Sequence, residues 1–290
     1  MPARAPISVL IPVKNEAANL TACLASVAFC DEIVVVDSGS TDGTRAIATQ
    51  AGAQVVDFKW NGEFPKKKNW ALANVPWKHE WVFIIDADER ATPELERALR
   101  AVAAGPATAH AGYYVNRRFW FLDGWLNHCG YYPSWNLRLF RHRLGRYEKT
   151  AAIAGTGSGD NEVHEHVELQ GSAGYLPGEM EHYAFPDIAT WVEKHNRYSN
   201  WEARLQLEAA GGTGAHASLD AGLARKRLLR RLAWRLPFRP TLRFLYHYVW
   251  RAGFLDGYRG YVFCRLMAYY EFLSAAKAAE LRRTGHRPPA

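Results

Sequence analysis

Apolar residues in the first hundred positions follow two different patterns. Four short segments contain consecutive apolar residues: residues 7–13, 32–37, 54–58 and 81–85. Runs of this length, rich in β-branched residues, indicate buried strands. After the first run, apolar positions three and four residues apart predict a helix whose buried face is formed by Leu20, Cys23, Leu24 and Val27. Further helices are predicted after the second strand, near Lys66 and at Pro93. This alternation of strand and helix predicts an α/β fold with a mostly parallel sheet.

The pattern changes after residue 110. In residues 112–121 and 135–140, apolar and polar positions alternate, which predicts half-exposed strands that extend the sheet and wall a cleft. From Pro186 onward the chain is predicted to be mostly helical, with a glycine-rich break near residue 211. An α/β half, a second half of the same domain and a helical region are therefore expected in that order, at residues 1–110, 111–185 and 186–290.

The fourth apolar run ends in acid. Asp86 and Asp88 follow it directly, at the strand end where ligands of open α/β sheets bind. Two neighbouring carboxylates repel each other unless a cation lies between them or one takes up a proton. Mg²⁺ or Mn²⁺ held together with phosphate oxygens would satisfy this arrangement. The alternative is that Asp86 ends the strand and Asp88 begins the next turn, since this short motif is common.

Polar residues also follow the first two predicted strands. Asp37, at the end of the second, could accept a hydrogen bond from a ring N–H of uracil or guanine. Asn15 and Glu16, just after Pro12 and Val13, could hold the base and ribose, or could simply begin the following helix. No G-x-G-x-x-G follows the first strand, which argues against a dinucleotide-binding fold of the usual kind.

A run of three lysines precedes the acid-ended strand, at Lys66, Lys67 and Lys68. Such a run is usually a solvated surface. Its position before the strand favours a contact with an anionic ligand, and Lys68 is the lysine that we expect to contact a sugar or diphosphate.

The bulk properties restrict the class of protein. A chain of 290 residues can bury one large core, and its net charge of +7 suggests a polyanionic partner. The four cysteines have neither metal-site nor disulfide-scaffold spacing, as in a reduced cytoplasmic protein. We find no signal-peptide pattern at the start, and no uncharged apolar stretch of roughly 18 residues that would predict a membrane-spanning helix.

Basic and apolar residues are interleaved near the end of the chain. Between Gly222 and Val262 the only acid is Asp256, whereas Arg and Lys alternate with Trp, Phe and Leu. This composition is typical of a helix that lies on an anionic membrane surface. The alternative is a solvated basic face packed through its aromatic residues. Nucleic acid is not expected as a partner, because no recognised nucleic-acid-binding motif accompanies the charge.

Three motifs at strand ends, residues 12–16, 37–44 and 86–88, resemble the nucleotide-sugar-binding motifs of family 2 glycosyltransferases, which have the Rossmann-like GT-A fold. Further segments, at residues 62–69, 163–165 and 253–257, are similar to the branch that contains the lipopolysaccharide core β-glucosyltransferases. The resemblance implies an inverting, metal-dependent transfer of a hexose, with UDP-glucose as the expected donor. It also implies a glycolipid acceptor, such as lipopolysaccharide core or another lipid-linked glycan. A lipid-anchored acceptor, together with the basic stretch and the cysteine usage, favours a peripheral place on the cytoplasmic face of the membrane.

The resemblance also assigns roles to residues. The donor site is expected to comprise Pro12, Val13, Asn15, Glu16, Asp37, Lys68 and Asp86. Asp88 would be the nearest metal ligand, with Asp86 closer to the ribose and sugar and His182 as a further metal contact. The general base would be Glu165, and Glu162 is the alternative.

These residues allow three other interpretations. His164 and His166 flank Glu165 and could bind zinc, but no further ligand stands at a suitable spacing. A sugar-phosphate nucleotidyltransferase usually has a glycine-rich basic loop after the first strand, where this chain has residues 14–16. A non-catalytic peripheral membrane or nucleic-acid adaptor on a decayed enzyme fold is disfavoured because the acids of the motifs are intact. Substitution of Asp88 by Asn would abolish the turnover of an enzyme, whereas an adaptor would keep its membrane binding and function.

Overall fold

The computed structural model describes residues 3–105, 110–149, 166–210, 236 and 238–284. They form two compact units. The first contains the described residues up to 120, together with 133–149 and 166–184, and the second contains 121–132 and the described residues from 185 onward. The expected bases Glu165 and Glu162, and His164 beside them, lie outside the described residues. So do residues 211–235, which carry much of the basic stretch.

Eleven strands occur in the described residues: β1 (Ala5–Val13), β2 (Cys30–Asp37), β3 (Gln54–Asp57), β4 (Trp81–Ile84), β5 (Glu89–Ala91), β6 (Gly112–Phe121), β7 (Gly124–Trp125), β8 (Asn136–Arg141), β9 (Gly145–Tyr147), β10 (Val167–Leu169) and β11 (Ala173–His182). The main sheet has the order β3-β2-β1-β4-β8-β6-β11-β5. The predicted parallel arrangement of the first four strands is confirmed. Beyond β4 the sheet is mixed, since β8 is antiparallel to both of its neighbours.

Four helices flank this sheet: α1 (Ala17–Val27), α2 (Thr44–Gln50), α3 (Lys67–Asn74) and α4 (Pro93–Ala104). The face of α1 that the spacing predicts is the face that is buried. Helix α4 begins where expected, with Pro93 at its first position and the Thr92 hydroxyl accepting a hydrogen bond from the Leu95 N–H. Apolar side chains from both faces of the sheet form two clusters, so the sheet is covered on both sides.

Strand β8 extends the sheet as predicted, but it is not half-exposed. It lies between β4 and β6, and its residues 137–140 are all buried. The alternating pattern of this strand arises from Arg138, a charged residue inside the protein, and not from a solvent-facing side. The prediction of a half-exposed strand at residues 135–140 is therefore wrong. A charged residue in a buried ion pair gives the same alternation of apolar and polar residues as a strand with one face in solvent.

The described residues after Pro186 are mostly helical, as expected. The helical segments among them are α5 (Ile188–Ala210), α6 (Arg239–Leu245), a π-helical segment (Tyr246–Trp250), a 3-10 turn (Gly253–Asp256) and α7 (Gly257–Thr284). Helix α6 is joined to α7 by Arg239 and Arg243, which both pair with Glu271. Within the described ranges, no helix carries an apolar stretch long enough to cross a membrane.

Candidate active site

The polar residues predicted at strand ends come together at one edge of the sheet. Strand β1 runs parallel to both β2 and β4, with Val13 opposite Asp37 and Leu10 opposite Ile84. The carboxyl ends of all three strands therefore face the same side, and the segments that follow them are neighbours. Pro12 and Val13 are themselves buried within β1.

Asp37 organises the turn that follows β2. Its carboxylate is completely buried and accepts hydrogen bonds from the Ser40 N–H and hydroxyl. Arg45, at the start of α2, donates to the same carboxylate at 2.9 Å. Asp37 thus already stabilises the turn. The ring N–H of a nucleotide base would have to reach a buried carboxylate that Ser40 and Arg45 already contact. The predicted contact between Asp37 and a base stays a prediction.

Asn15 and Glu16 connect the end of β1 to the turn after β2. The Asn15 side-chain oxygen accepts a hydrogen bond from the Thr41 N–H at 2.8 Å, and Asn15 adopts a left-handed backbone conformation. The Glu16 N–H donates to the Thr44 hydroxyl, and Glu16 stands at the N-cap of α1. These contacts fit the interpretation that the two residues begin the helix, and they also hold both residues at the edge where a donor is expected.

The lysine run is directed inward. Lys67 and Lys68, the first residues of α3, are both buried, which is unusual for lysine. The Lys67 Nζ donates to the Val13 carbonyl at 2.9 Å, whereas the Lys68 Nζ lies 3.0 Å from the Asp86 carboxylate. Lys68 is therefore the lysine that points at the acidic pair.

The start of α3 is held by Asn69. Its side-chain amide makes two hydrogen bonds with the backbone of Tyr147, one to the carbonyl at 2.8 Å and one from the N–H at 2.9 Å. The ring of Tyr147 lies 5.4 Å from the Lys68 Nζ. The ammonium group of Lys68 is thus fixed in place beside Asp86 by α3 and β9.

Asp86 is held by two cations. Besides Lys68, Arg138 from β8 lies 3.0 Å from the Asp86 carboxylate and 2.8 Å from the carboxylate of Glu89, which is fully buried. Burial acts to raise the pKa of Asp86, but the charges of Lys68 and Arg138 outweigh it and hold this pKa well below its usual range. Asp86 is therefore a carboxylate whose charge the protein itself compensates.

Arg138 is stabilised as a cation by the same network. Burial disfavours its charge, but the carboxylates of Glu89 and Asp86 raise its pKa above the ordinary value of arginine. Arg117 on β6 adds a second contact to Glu89, at 3.3 Å. Strands β5, β6 and β8 and the turn that follows β4 are thereby joined at this point by charges that lie inside the protein.

Asp88 lies beside His182, as the metal prediction requires. His182 Nε2 is 3.5 Å from the Asp88 carboxylate, and the Tyr183 N–H donates to the Asp88 carbonyl at 2.8 Å. The pairing of β11 with β5, with His182 opposite Glu89, places these residues together although they are far apart in the chain. The His182 Nδ1 is buried and has no hydrogen-bond partner among the described residues.

These residues fit a divalent cation that is bound partly by substrate. A carboxylate oxygen and an imidazole nitrogen are suitable ligands, whereas Asp86 is already engaged by Lys68 and Arg138. In the described part of the chain, no group of three His, Cys, Asp or Glu side chains is arranged to hold a metal without other ligands. Phosphate oxygens would have to complete the coordination.

Glu89, Arg117 and Arg138 were not predicted from the sequence as part of the site. The signal for Arg138 was its place in the middle of a strand whose other residues are apolar, and the signal for Glu89 was its position directly after Asp88. Neither signal distinguishes a buried ion pair from a surface charge without knowledge of the strand pairing. Of the zinc interpretation, only His166 is described, and its ring lies 3.2 Å from the Glu148 carboxylate.

A sequence profile described as Glycosyl transferase family 2 matches residues 8–161 of the chain, more than half of its length. The match includes every strand end described above except the end of β11, where His182 lies.

Several relatives match over nearly the whole chain. The lipopolysaccharide core biosynthesis glycosyltransferase LpsC of Rhizobium meliloti (strain 1021) is 31% identical, with 98% of this chain and 95% of that protein covered. The uncharacterized glycosyltransferase RP128 of Rickettsia prowazekii (strain Madrid E) is 28% identical, with coverage of 95% and 87%. The predicted resemblance to the family and to its lipopolysaccharide core branch is confirmed.

Among solved structures, this chain is similar to glucosyl-3-phosphoglycerate synthase from Mycobacterium tuberculosis in complex with Mn²⁺, UDP and glucosyl-3-phosphoglycerate. The identity is 26%, the TM-score is 0.30, and 40% of this chain and 44% of that chain are covered. A TM-score of 0.30 is too low to support an inference about substrate or metal. From the profile match and the relationship to LpsC, the chain belongs to glycosyltransferase family 2 and is a glycosyltransferase with an α/β fold of the GT-A class.

Proposed function

We propose that this enzyme transfers a hexose from a UDP-sugar, with UDP-glucose as the first candidate, to a hydroxyl group of a glycolipid. The observation that carries the proposal is the buried cluster of Lys68, Asp86 and Arg138 at the edge where β1, β2 and β4 end. The name of LpsC supports lipopolysaccharide core as the acceptor, and another lipid-linked glycan is the broader class.

The charge of the cluster suits a nucleoside diphosphate. Asp86, kept ionised by Lys68 and Arg138, can accept hydrogen bonds from hydroxyl groups of the ribose or the sugar. Lys68 is a buried cation at this edge of the sheet and can attract the diphosphate. The base would bind along the turns that contain Asn15, Glu16 and Asp37.

Asp88 and His182 would hold a Mg²⁺ or Mn²⁺ ion together with the diphosphate. When bound, such an ion neutralises the charge that develops on a leaving nucleoside diphosphate. The role of the protein is to keep Asp88 in place, which it does through the hydrogen bond from the Tyr183 N–H to the Asp88 carbonyl and through the pairing of β11 with β5.

The acceptor hydroxyl would be deprotonated by Glu165 as it attacks the anomeric carbon. A single displacement inverts that centre and requires no covalent intermediate. The alternative base, three residues earlier, is Glu162. Because the donor is soluble and the acceptor is lipid-borne, the enzyme would work as a peripheral protein on the cytoplasmic face of the membrane, attached through its basic stretch.

An assay of UDP release tests this proposal. The native enzyme is supplied with UDP-glucose, other UDP-hexoses or GDP-mannose, together with a truncated lipopolysaccharide core acceptor and Mn²⁺ or Mg²⁺. We expect acceptor-dependent release of UDP. Glu165→Gln should lower the rate by about 10²–10⁴ without weakening UDP binding, because a general base acts only in the chemical step. Glu162→Gln is the matched control, and a larger loss in this variant would assign the base to Glu162.

A further inference from the structure

The second unit exposes many large apolar side chains. Among the described residues, most of the exposed large apolar side chains lie between positions 236 and 272. Trp250 and Tyr258 are exposed to 81% and 77%, and Val249, Phe254 and Leu255 are at least half exposed. We call these five side chains the apolar tip. Clusters of exposed large apolar side chains mark sites where a protein meets another protein or a membrane.

The backbone that carries the apolar tip is fixed from below. The buried carboxylate of Asp256 accepts hydrogen bonds from the backbone N–H groups of Asn127 and His128, at 3.3 and 2.9 Å, and lies 2.9 Å from the His128 ring. His247 Nδ1 is 2.7 Å from the Cys129 carbonyl. These bonds fasten the π-helical segment and the 3-10 turn to residues 127–129 of the same unit.

Two glycines allow this close packing. A Cβ on Gly253 would lie 2.8 Å from the His247 carbonyl oxygen and 2.9 Å from the Sγ atoms of Cys129 and Cys264. A Cβ on Gly260 would lie 2.0 Å from the Gly253 carbonyl oxygen. The backbone that carries the exposed side chains is therefore tightly packed against its neighbours, and the side chains are not exposed because this segment is poorly packed.

The charge around the apolar tip is positive. Between residues 236 and 270 the only acid is Asp256, and its carboxylate is buried under the tip. Five arginines occur in the same stretch: Arg239, Arg243, Arg251, Arg259 and Arg265. Three of them are compensated by acids outside it, since Arg239 and Arg243 pair with Glu271 and Arg259 lies 3.6 Å from the carboxylate of Asp123. Arg251 and Arg265 are exposed, and Arg251 follows Trp250 directly. Exposed Trp and Tyr together with basic residues are the side chains that favour the interface between water and an anionic bilayer.

We propose that the apolar tip enters the headgroup region of an anionic lipid bilayer, and that Arg251 contacts lipid phosphates there. The inference rests on the proposed function only in taking the acceptor to be lipid-borne. It goes further in naming the surface that meets the lipid: a preformed apolar tip next to exposed arginine, and not the basic stretch as a whole.

The test is cosedimentation of the full chain with vesicles of phosphatidylcholine that do or do not contain phosphatidylglycerol. The double variant Trp250→Ser/Leu255→Ser removes two side chains of the tip. Trp135→Ser/Tyr175→Ser is the matched control, because it removes two exposed aromatic residues from the first unit. We expect the dissociation constant for phosphatidylglycerol vesicles to rise about tenfold or more in the tip variant, and by about twofold or less in the control. Arg251→Gln should weaken binding only to vesicles that contain phosphatidylglycerol.

Three results would overturn this proposal: no binding of the native chain to phosphatidylglycerol vesicles, equal binding by the tip variant and the control, or a tip variant that loses a native dimer but keeps its vesicle binding. The last would make the tip an interface between two copies. UDP titration of the same samples keeps the two proposals separate. A chain that binds UDP but does not bind vesicles would contradict only the proposed docking surface. A chain that binds vesicles but does not bind UDP would contradict only the proposed donor.

Discussion

At the scale of single residues, the candidate site depends on a balance of buried charges. Asp86 and Glu89 are compensated by Lys68 and Arg138, so neither carboxylate is isolated in the interior. A buried ion pair costs desolvation when it forms, and removing one partner leaves the other charge uncompensated. Arg138 contacts both carboxylates, and it is therefore the residue whose loss should matter most.

Substitution of Arg138 by Met should lower the free energy of unfolding by about 3 kcal/mol, because the charges of Glu89 and Asp86 lose their shared partner. Urea denaturation measures this loss. Arg100→Met is the matched control, since Arg100 pairs with Glu96 near the surface, where an ion pair contributes about 1 kcal/mol or less. Equal losses in the two variants would contradict a stabilising role for Arg138.

At the scale of elements, the sequence was informative wherever local pattern decides the structure. Strands β1–β4 and the buried face of α1 follow from short apolar runs and from spacings of three and four. The placement of Asp37 and Asp86 at the same edge of the sheet followed from the rule that parallel strands end at one edge. Local pattern could not show that β8 lies between β4 and β6, or that β5 pairs with β11. Those pairings are long-range, and they alone explain why Arg138 meets Asp86 and why His182 meets Asp88.

Helix α5 carries a histidine that should make the second unit sensitive to acid. The ring of His195 is stacked on buried Trp191, with the ring centres 3.5 Å apart, and burial lowers the pKa of His195 to about 4. In the unfolded chain a histidine titrates near 6.5. Between these values the unfolded chain binds more protons than the folded one, so the free energy of unfolding should fall as the pH drops from about 6.5 towards 4.

The measurement is urea denaturation of the native chain and of His195→Gln at neutral pH and near pH 5. The native chain should lose more stability on acidification than the variant does, because the variant no longer has this proton to take up. His166→Gln is the control, since His166 is largely exposed. An unchanged pH dependence in His195→Gln would show that His195 does not cause the sensitivity.

At the scale of the whole molecule, the two units carry different parts of the proposed activity. The first contains the buried charges at the end of the parallel strands, which suit a soluble nucleotide-sugar. The second contains the apolar tip and the exposed arginines beside it, which suit a lipid surface. The net charge of +7 agrees with two anionic partners, a diphosphate and a membrane. A glycosyltransferase with a lipid-borne acceptor needs both surfaces.

The most direct test of this account is calorimetric titration of UDP into the native chain and into Asp88→Asn, each with and without Mn²⁺. We expect Mn²⁺ to strengthen UDP binding by the native chain. In Asp88→Asn this gain should be lost while metal-free binding is unchanged, because Asp88 would act through the metal and Lys68 and Arg138 remain in place. No binding of UDP by the folded native chain with Mn²⁺, or the same gain from Mn²⁺ in both proteins, would contradict the proposed donor site.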